Sequence, residues 1–272
     1  MTYTLLDSGN FRKLEVVGKH RIVRPCPQAV WEPRLRKSEW SNVTDVYLRS
    51  NSGGGKWQRN AFPEKSTINY GDFELQIKPT NFGHLGVFAE QIDNWNWLSE
   101  ICEEGMQTMN LFAYTGGSTL AMRRGGASPT HVDSAKGIVD WARVNADLNN
   151  LDGIRWIVED AAKFLEREIR RGKSYDGIVL DPPSFGRGNR NEIWKIEENL
   201  VPLLKLVREL MPTPKFLLLS CHSPHYSPKA LENLVVSLWG DRVSMDSFEM
   251  TIPEESSHRS IPSGACVRVT FN

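Results

Sequence analysis

The chain offers little cysteine chemistry. Its four cysteines, Cys26, Cys102, Cys221 and Cys266, lie far apart with no paired spacing. That excludes a zinc ribbon or finger and a disulfide framework. The expectation is a chain without a metal, working in a reducing cytoplasmic compartment. Long apolar runs are also missing. No stretch approaches the ~18 residues that span a bilayer, so no membrane partner is expected. The first residues, MTYTLLDSGN, have neither the basic flank nor the apolar centre of a signal peptide. Two nucleotide signatures are absent too. Without a glycine-rich loop ending in lysine a P-loop hydrolase is excluded, and without G-x-G-x-x-G a nicotinamide oxidoreductase has little support.

What is present is ordinary globular composition over 272 residues, 40% hydrophobic and 24% charged. The net charge is zero, yet residues 1–80 sum to +5 and residues 81–272 to −5. A basic N-terminal surface and an acidic body are the expectation. Residues 1–80 read as a small β domain. YTLLDSG, KLEVVGKHRIVRP, DVYLRS and FELQIKPT are short β runs separated by turn-rich pieces, among them Gly9-Asn10 and a glycine-rich loop at 51–56. The rhythm changes near residue 92, where QIDNWNWLSEIC looks helical. Strands at 107–112, 129–133, 154–158, 175–181 and 215–220 then alternate with helices at 117–125, 135–149, 161–171, 192–210 and 228–239. Regular alternation of this kind predicts an α/β, doubly wound, mostly parallel sheet over residues 81–272. Two final strands, 245–251 and 264–271, predict a terminal antiparallel hairpin on it.

Ligands of such sheets bind at the carboxyl ends of the strands. The first strand ends in NLFAYTGGSTLAM, where Gly116 and Gly117 allow a tight turn before a helix N-terminus. Taken alone, that is also an ordinary strand–helix turn. The second strand ends at Asp133, placed to accept hydrogen bonds from two ribose hydroxyls, or else to cap the next helix. The third ends at Asp160, placed where an adenine amino group would arrive, or else capping the next helix. The fourth ends in YDGIVLDPPSFGRG, an apolar run stopped by Asp181 against Pro182 and Pro183. Gly-Gly followed by three acidic tips is the pattern of an adenosine site that holds no phosphates.

On these residues the chain resembles the class I S-adenosylmethionine-dependent methyltransferases, and more narrowly the ribosomal RNA large-subunit methyltransferase I/K-like group. The carriers are residues 110–122, 130–149, 156–188 and 217–223, within a match over about 81–272. The resemblance implies a Rossmann-like fold with S-adenosylmethionine as cofactor. Tyr114, Thr115, Gly116 and Gly117 would wrap its methionine end. Asp133 would hold the ribose, with Ser134 beside the adenine. Asp160 and Ala161 would read the adenine edge, and Asp181 and Pro183 would face the methyl group. Gln91 and Asn94, in GHLGVFAEQIDNW, match a segment that lies over the cofactor's amino-acid end in such enzymes. Many members carry a PUA-type RNA-binding module; the first 80 residues here look like the small β domain that follows it.

Methyl transfer from a sulfonium chiefly requires alignment of nucleophile, methyl and sulfur. The two prolines stiffen the chain beside Asp181, where an acceptor has to sit. Cys221, in LLLSCHSPHYSP, takes the place of the cysteine nucleophile of cytosine-methylating members, or is a small buried residue at a strand end. Arg34, Arg36, Lys37, Arg49, Lys56 and Arg59, interleaved with Trp31, Trp40 and Trp57, offer charge and stacking to single-stranded RNA. His258 and Arg259 lie in the loop between the last two strands, which would border the acceptor pocket, and Arg259 there either contacts a phosphate or is solvated. The expected activity is therefore S-adenosylmethionine-dependent methylation of a ribosomal RNA base, by a monomer or homodimer. A methyltransferase of proteins or small molecules, and a non-catalytic RNA-binding assembly protein, are the alternatives.

Overall fold

The computed structural model describes residues 2–50, 54–59, 61–63, 66–187 and 193–271. Residues 51–53 of the expected glycine-rich loop lie outside these, as does Gly188 of the 175–188 stretch. By internal contacts the chain divides into two units, Met1–Ile92 with Thr251–Ser263, and Asp93–Met250 with Gly264–Asn272. Residues 81–92 and 251–263, read from sequence with the larger domain, thus group with the smaller unit.

The smaller unit is built on a five-stranded sheet of order β1-β2-β3-β4-β5, with β1 Tyr3–Gly9, β2 Arg12–Val17, β3 His20–Pro25, β4 Asp45–Arg49 and β5 Gly55–Arg59. A separate hairpin joins β6 Ser66–Tyr70 to β7 Phe73–Ile77. Alternating apolar residues bury one sheet face, placing Val17, Ile22, Phe62, Ile68 and Ile77 in one cluster. One turn of helix, α1 Lys37–Ser41, interrupts the β pattern. It is too short to leave a helical period in the sequence.

The larger unit holds the expected sheet. Its strands β8 Gln107–Leu111, β9 Ser128–Asp133, β10 Arg155–Val158, β11 Gly177–Leu180 and β14 Phe216–Cys221 are parallel neighbours in the order β10-β9-β8-β11-β14. Helices α2 Ile92–Ile101, α3 Gly117–Arg124, α4 Lys136–Leu148, α5 Ala161–Arg170, α6 Ile196–Glu209 and α7 Pro228–Trp239 complete the alternation. Both β11 (GIVL) and β14 (FLLLSC) are buried at every residue. A strand covered on both faces needs an unbroken apolar run rather than an alternating one. The expected terminal hairpin is longer than read, β15 Ser244–Pro253 and β16 Ser260–Thr270, with β16 inserted between β14 and β15. β16 runs antiparallel to β14, from Phe216 opposite Thr270 to Cys221 opposite Ala265.

A further element departs from the sequence reading. The helix expected over 192–210 begins at Ile196, and Ile193–Lys195 form a strand, β13, paired with β12 Phe185–Arg187. The cause is tertiary. The Trp194 indole N–H donates to the Pro183 carbonyl at 2.6 Å, and its ring packs at 4.8 Å on Phe112. Among the described residues no helix is long and apolar enough to cross a membrane.

Candidate functional site

The strand order reverses direction between β8 and β11, which is where open α/β sheets bind ligands. The turn leaving β8 is strained. Phe112 and Tyr114, neither of them glycine, have φ of 55° and 49°, and Gly116 has φ of 94°. Non-glycine residues held in the left-handed region collect at functional sites, where the surrounding structure over-determines them. Here the determinants are visible. The Asp133 carboxylate accepts from the Tyr114 N–H at 3.0 Å and from the Ala135 N–H at 2.9 Å. Asn145 on α4 donates to the Thr115 carbonyl at 2.9 Å. A β-carbon on Gly117 would lie 2.2 Å from the buried Trp95 indole, so only glycine lets α2 pack beneath this turn. Beneath it also runs a buried chain from Asn110 to Thr119 to His131, at 3.0 and 2.9 Å. Burial, seconded by the Arg143 charge, holds His131 neutral and lowers its pKa to about 3. Asn145, Trp95 and His131 left no signal in the sequence, because nothing local distinguishes them from core residues.

Burial raises the Asp133 carboxyl above its ordinary range, against the two backbone donors that lower it. Each oxygen takes one main-chain N–H and keeps lone-pair capacity for a ligand hydroxyl. Ser134 sits between Asp133 and the Ala135 that closes this turn. Asp160 caps α5, accepting from the Lys163 N–H at 3.1 Å, and Ala161 behind it is buried. Asp160 also borders a groove of about 240 Å³ walled by Ala162, Ile193, Trp194 and Leu203.

Across the switch point, Asp181 ends β11 with its side chain 27% exposed, and its Oδ1 lies 3.4 Å from His222 Nε2. His222 follows β14 and is a neighbour of Asp181 that the reading of DPP alone did not supply. Pro182 is buried and Pro183 exposed. The Pro183 carbonyl is taken by Trp194, and Ser184 hydrogen-bonds Ser223 at 2.6 Å, so this loop is fixed from two sides. Cys221 is 1% exposed within the core, and burial, with the nearby Asp181 charge, raises its thiol pKa. Those are the surroundings of an inert buried thiol rather than of a thiolate.

The remaining predicted residues are engaged elsewhere. The Asn94 carboxamide is enclosed by Met250, Cys266 and Arg268, the last donating at 2.9 Å. Gln91 is buried in the smaller unit. Arg259 is not a free phosphate ligand. It donates to Asp7 and Glu254, both at 2.9 Å, and to the Glu32 carbonyl, all within the smaller unit. Trp31, Trp40 and Trp57 are part-buried, their N–H groups donating to Ser8, Asp7 and the Thr80 carbonyl respectively.

The tips of this doubly wound sheet carry a glycine turn and three carboxylates, the arrangement expected for an adenosine site. The chain matches the model of the S-adenosylmethionine-dependent methyltransferase family over residues 68–235, and it belongs to that family. It is 30% identical over 174 residues to ribosomal RNA large subunit methyltransferase K/L of Syntrophotalea carbinolica, covering 62% of this chain and 24% of that protein. To ribosomal RNA large subunit methyltransferase I of Aeromonas hydrophila it is 34% identical over 118 residues, 42% of this chain and 30% of that one. The chain thus spans under a third of the length of these relatives. The crystal structure of the SAM-dependent methyltransferase from Agrobacterium tumefaciens superposes with a TM-score of 0.92 at 35% identity, covering 98% of this chain and 90% of that one. A structure solved in complex with SAH shares the fold, with a TM-score of 0.79 at 17% identity over 99% of this chain and 75% of its own.

Proposed function

We propose that this chain transfers a methyl group from S-adenosylmethionine to a base of ribosomal RNA. The observation that carries this is the Asp133 carboxylate, clamped under a strained glycine turn at the same carboxyl end of the sheet as the Asp181–His222 pair. The residues fit the cofactor. Asp133 has lone pairs for both ribose hydroxyls, Ser134 would lie beside the adenine, and Asp160, with Ala162, borders a groove suited to a flat heterocycle, with Ala161 buried behind it. The N-terminus of α3, which follows the Tyr114–Gly117 turn, offers its partial positive charge to a carboxylate. The acidic tips favour a cation over a phosphate. Bound there, S-adenosylmethionine supplies an activated methyl group on a cationic sulfur.

The protein's own task is then alignment. Asp181 accepts a hydrogen bond from the acceptor base, His222 orients the carboxylate, and Pro182 and Pro183 hold its backbone still. Asn94, held by Arg268, and the buried Gln91 take no part in this alignment. The buried Cys221 acts as a core residue. The choice of RNA follows the names of the relatives, and with it the reading that the chain acts in the cytoplasm. Gel filtration decides between monomer and homodimer. The functional test is tritiated methyl transfer into RNA, protein and metabolite fractions of a strain lacking the protein. Label in RNA that Asp181→Asn abolishes, with cofactor binding kept, is expected. Label only in another fraction changes the acceptor class, and binding without any transfer favours an assembly role.

A further inference from the structure

The β1–β2 turn of the smaller unit places an exposed aromatic ring where a hairpin normally places glycine. Gly9 and Arg12 are paired, so Asn10 and Phe11 form a two-residue turn, with φ of 50° and 61°. Mirror-type turns with two positive φ values favour Asn-Gly, because a β-carbon is crowded at the second position. Phe11 carries that cost while remaining 59% exposed, so burial does not offset it. The turn is nonetheless fixed. The Asn10 and Phe11 N–H groups donate to the Trp31 and Ala29 carbonyls, and Cys26 donates to the Phe11 carbonyl, each at 2.8 Å. Val30, between those two acceptors, is 69% exposed.

Arg12, the next residue in the chain after Phe11, is exposed as well. Arg12 stands 5.4 Å over the Trp40 ring, whose N–H reaches the buried Asp7 carboxylate at 3.0 Å. The same carboxylate takes the Arg34 and Leu35 main-chain N–H groups, pinning this segment so that Arg34, Arg36 and Lys37 are exposed. The acids beside them are engaged, Glu32 by Asn10 and Glu39 by Arg21. An exposed ring on a fixed turn, with exposed cations on Arg12 and on the 34–37 stretch that continues the segment bonded to that turn, suits a chain of bases and phosphates, since bases stack on aromatics while phosphates pair with Arg and Lys. An acidic peptide would use the charges but would give no reason for a strained phenylalanine.

We propose that this face of the smaller unit is a docking site for single-stranded RNA, with Phe11 stacking on a base and Arg12, Arg34, Arg36 and Lys37 taking phosphates. The proposal rests on RNA being the acceptor. It is tested by anisotropy titration of a labelled, mixed-sequence single-stranded RNA over a series of salt concentrations, with calorimetry of S-adenosylmethionine alongside. Phe11→Gly relaxes the turn, so its melting temperature is expected to hold or rise while RNA affinity falls roughly tenfold, the loss of one stacked base. Paired Arg36→Ala and Lys37→Ala substitutions are expected to reduce the salt slope by about 1.4. Cofactor heat is unchanged in both. If wild type binds RNA and both variants match it, this surface is wrong while the RNA reading stands. If wild type gives cofactor heat but binds no RNA, the RNA reading itself falls and the surface with it. Displacement of the RNA by polyglutamate as readily as by polyuridine would overturn the stacking role.

Discussion

Replacing Asp133 by Asn tests the centre of the site. Both carboxylate oxygens accept main-chain N–H groups, from Tyr114 and Ala135. An asparagine keeps one acceptor and turns its NH₂ toward the other donor, leaving a buried N–H unpaired. Losing a charge-assisted hydrogen bond costs about 1.5–3 kcal/mol. Part of this is returned, because burial already disfavours the Asp133 charge. A net loss of about 1 kcal/mol is expected, a fall in melting temperature of about 2–4 °C for a chain of this size. The ligand loses more. Without the charge, ribose hydroxyls lose their charged acceptor, and affinity for S-adenosylmethionine should drop about 10- to 100-fold.

The pH dependence separates the two effects. The raised Asp133 pKa means the folded chain takes up this proton more readily than the unfolded chain. The ionised carboxylate therefore costs stability above its folded pKa, and acid relieves that cost. Ligand affinity runs the other way, being present above the folded pKa and lost as pH falls through it. Titration calorimetry from neutral to acid pH should show an acid loss of affinity in the wild type that is flattened in Asp133→Asn. Binding by the variant within twofold of wild type at neutral pH would refute the ribose role.

Two further outcomes follow from buried groups. His131, held neutral with a pKa of about 3, titrates near 6.5 when unfolded. Its contribution is full above pH ~6.5 and lost as pH falls toward ~3, by about 1.4 kcal/mol per unit. Urea unfolding at neutral and mildly acid pH should show that slope, and His131→Gln should flatten it. Cys221→Ser should leave methyl transfer within a few-fold, and iodoacetamide should not label Cys221 in the folded chain. Abolished transfer with cofactor heat intact would instead make Cys221 a nucleophile.

The alternation of apolar runs and amphipathic helices determined the doubly wound sheet, because burial on both faces demands strands such as GIVL and FLLLSC whatever their partners. The residues at the strand ends, Gly116, Gly117, Asp133, Asp160 and Asp181, were legible for the same reason: a polar residue that stops an apolar run marks a strand tip. What surrounds them was not. His222 meets Asp181, Trp95 fills the space a Gly117 β-carbon would take, and Trp194 converts the start of an expected helix into a strand. Each is a contact between residues remote in sequence, and local periodicity carries no record of such pairings. Cys221 is instructive, since its place at a strand end was plain in the sequence while the choice between nucleophile and buried residue was not. The strain at Phe11 is of the same kind. The sequence showed a turn at Gly9-Asn10, but only the paired register of β1 and β2, fixed by the whole sheet, set a phenylalanine at the position that favours glycine.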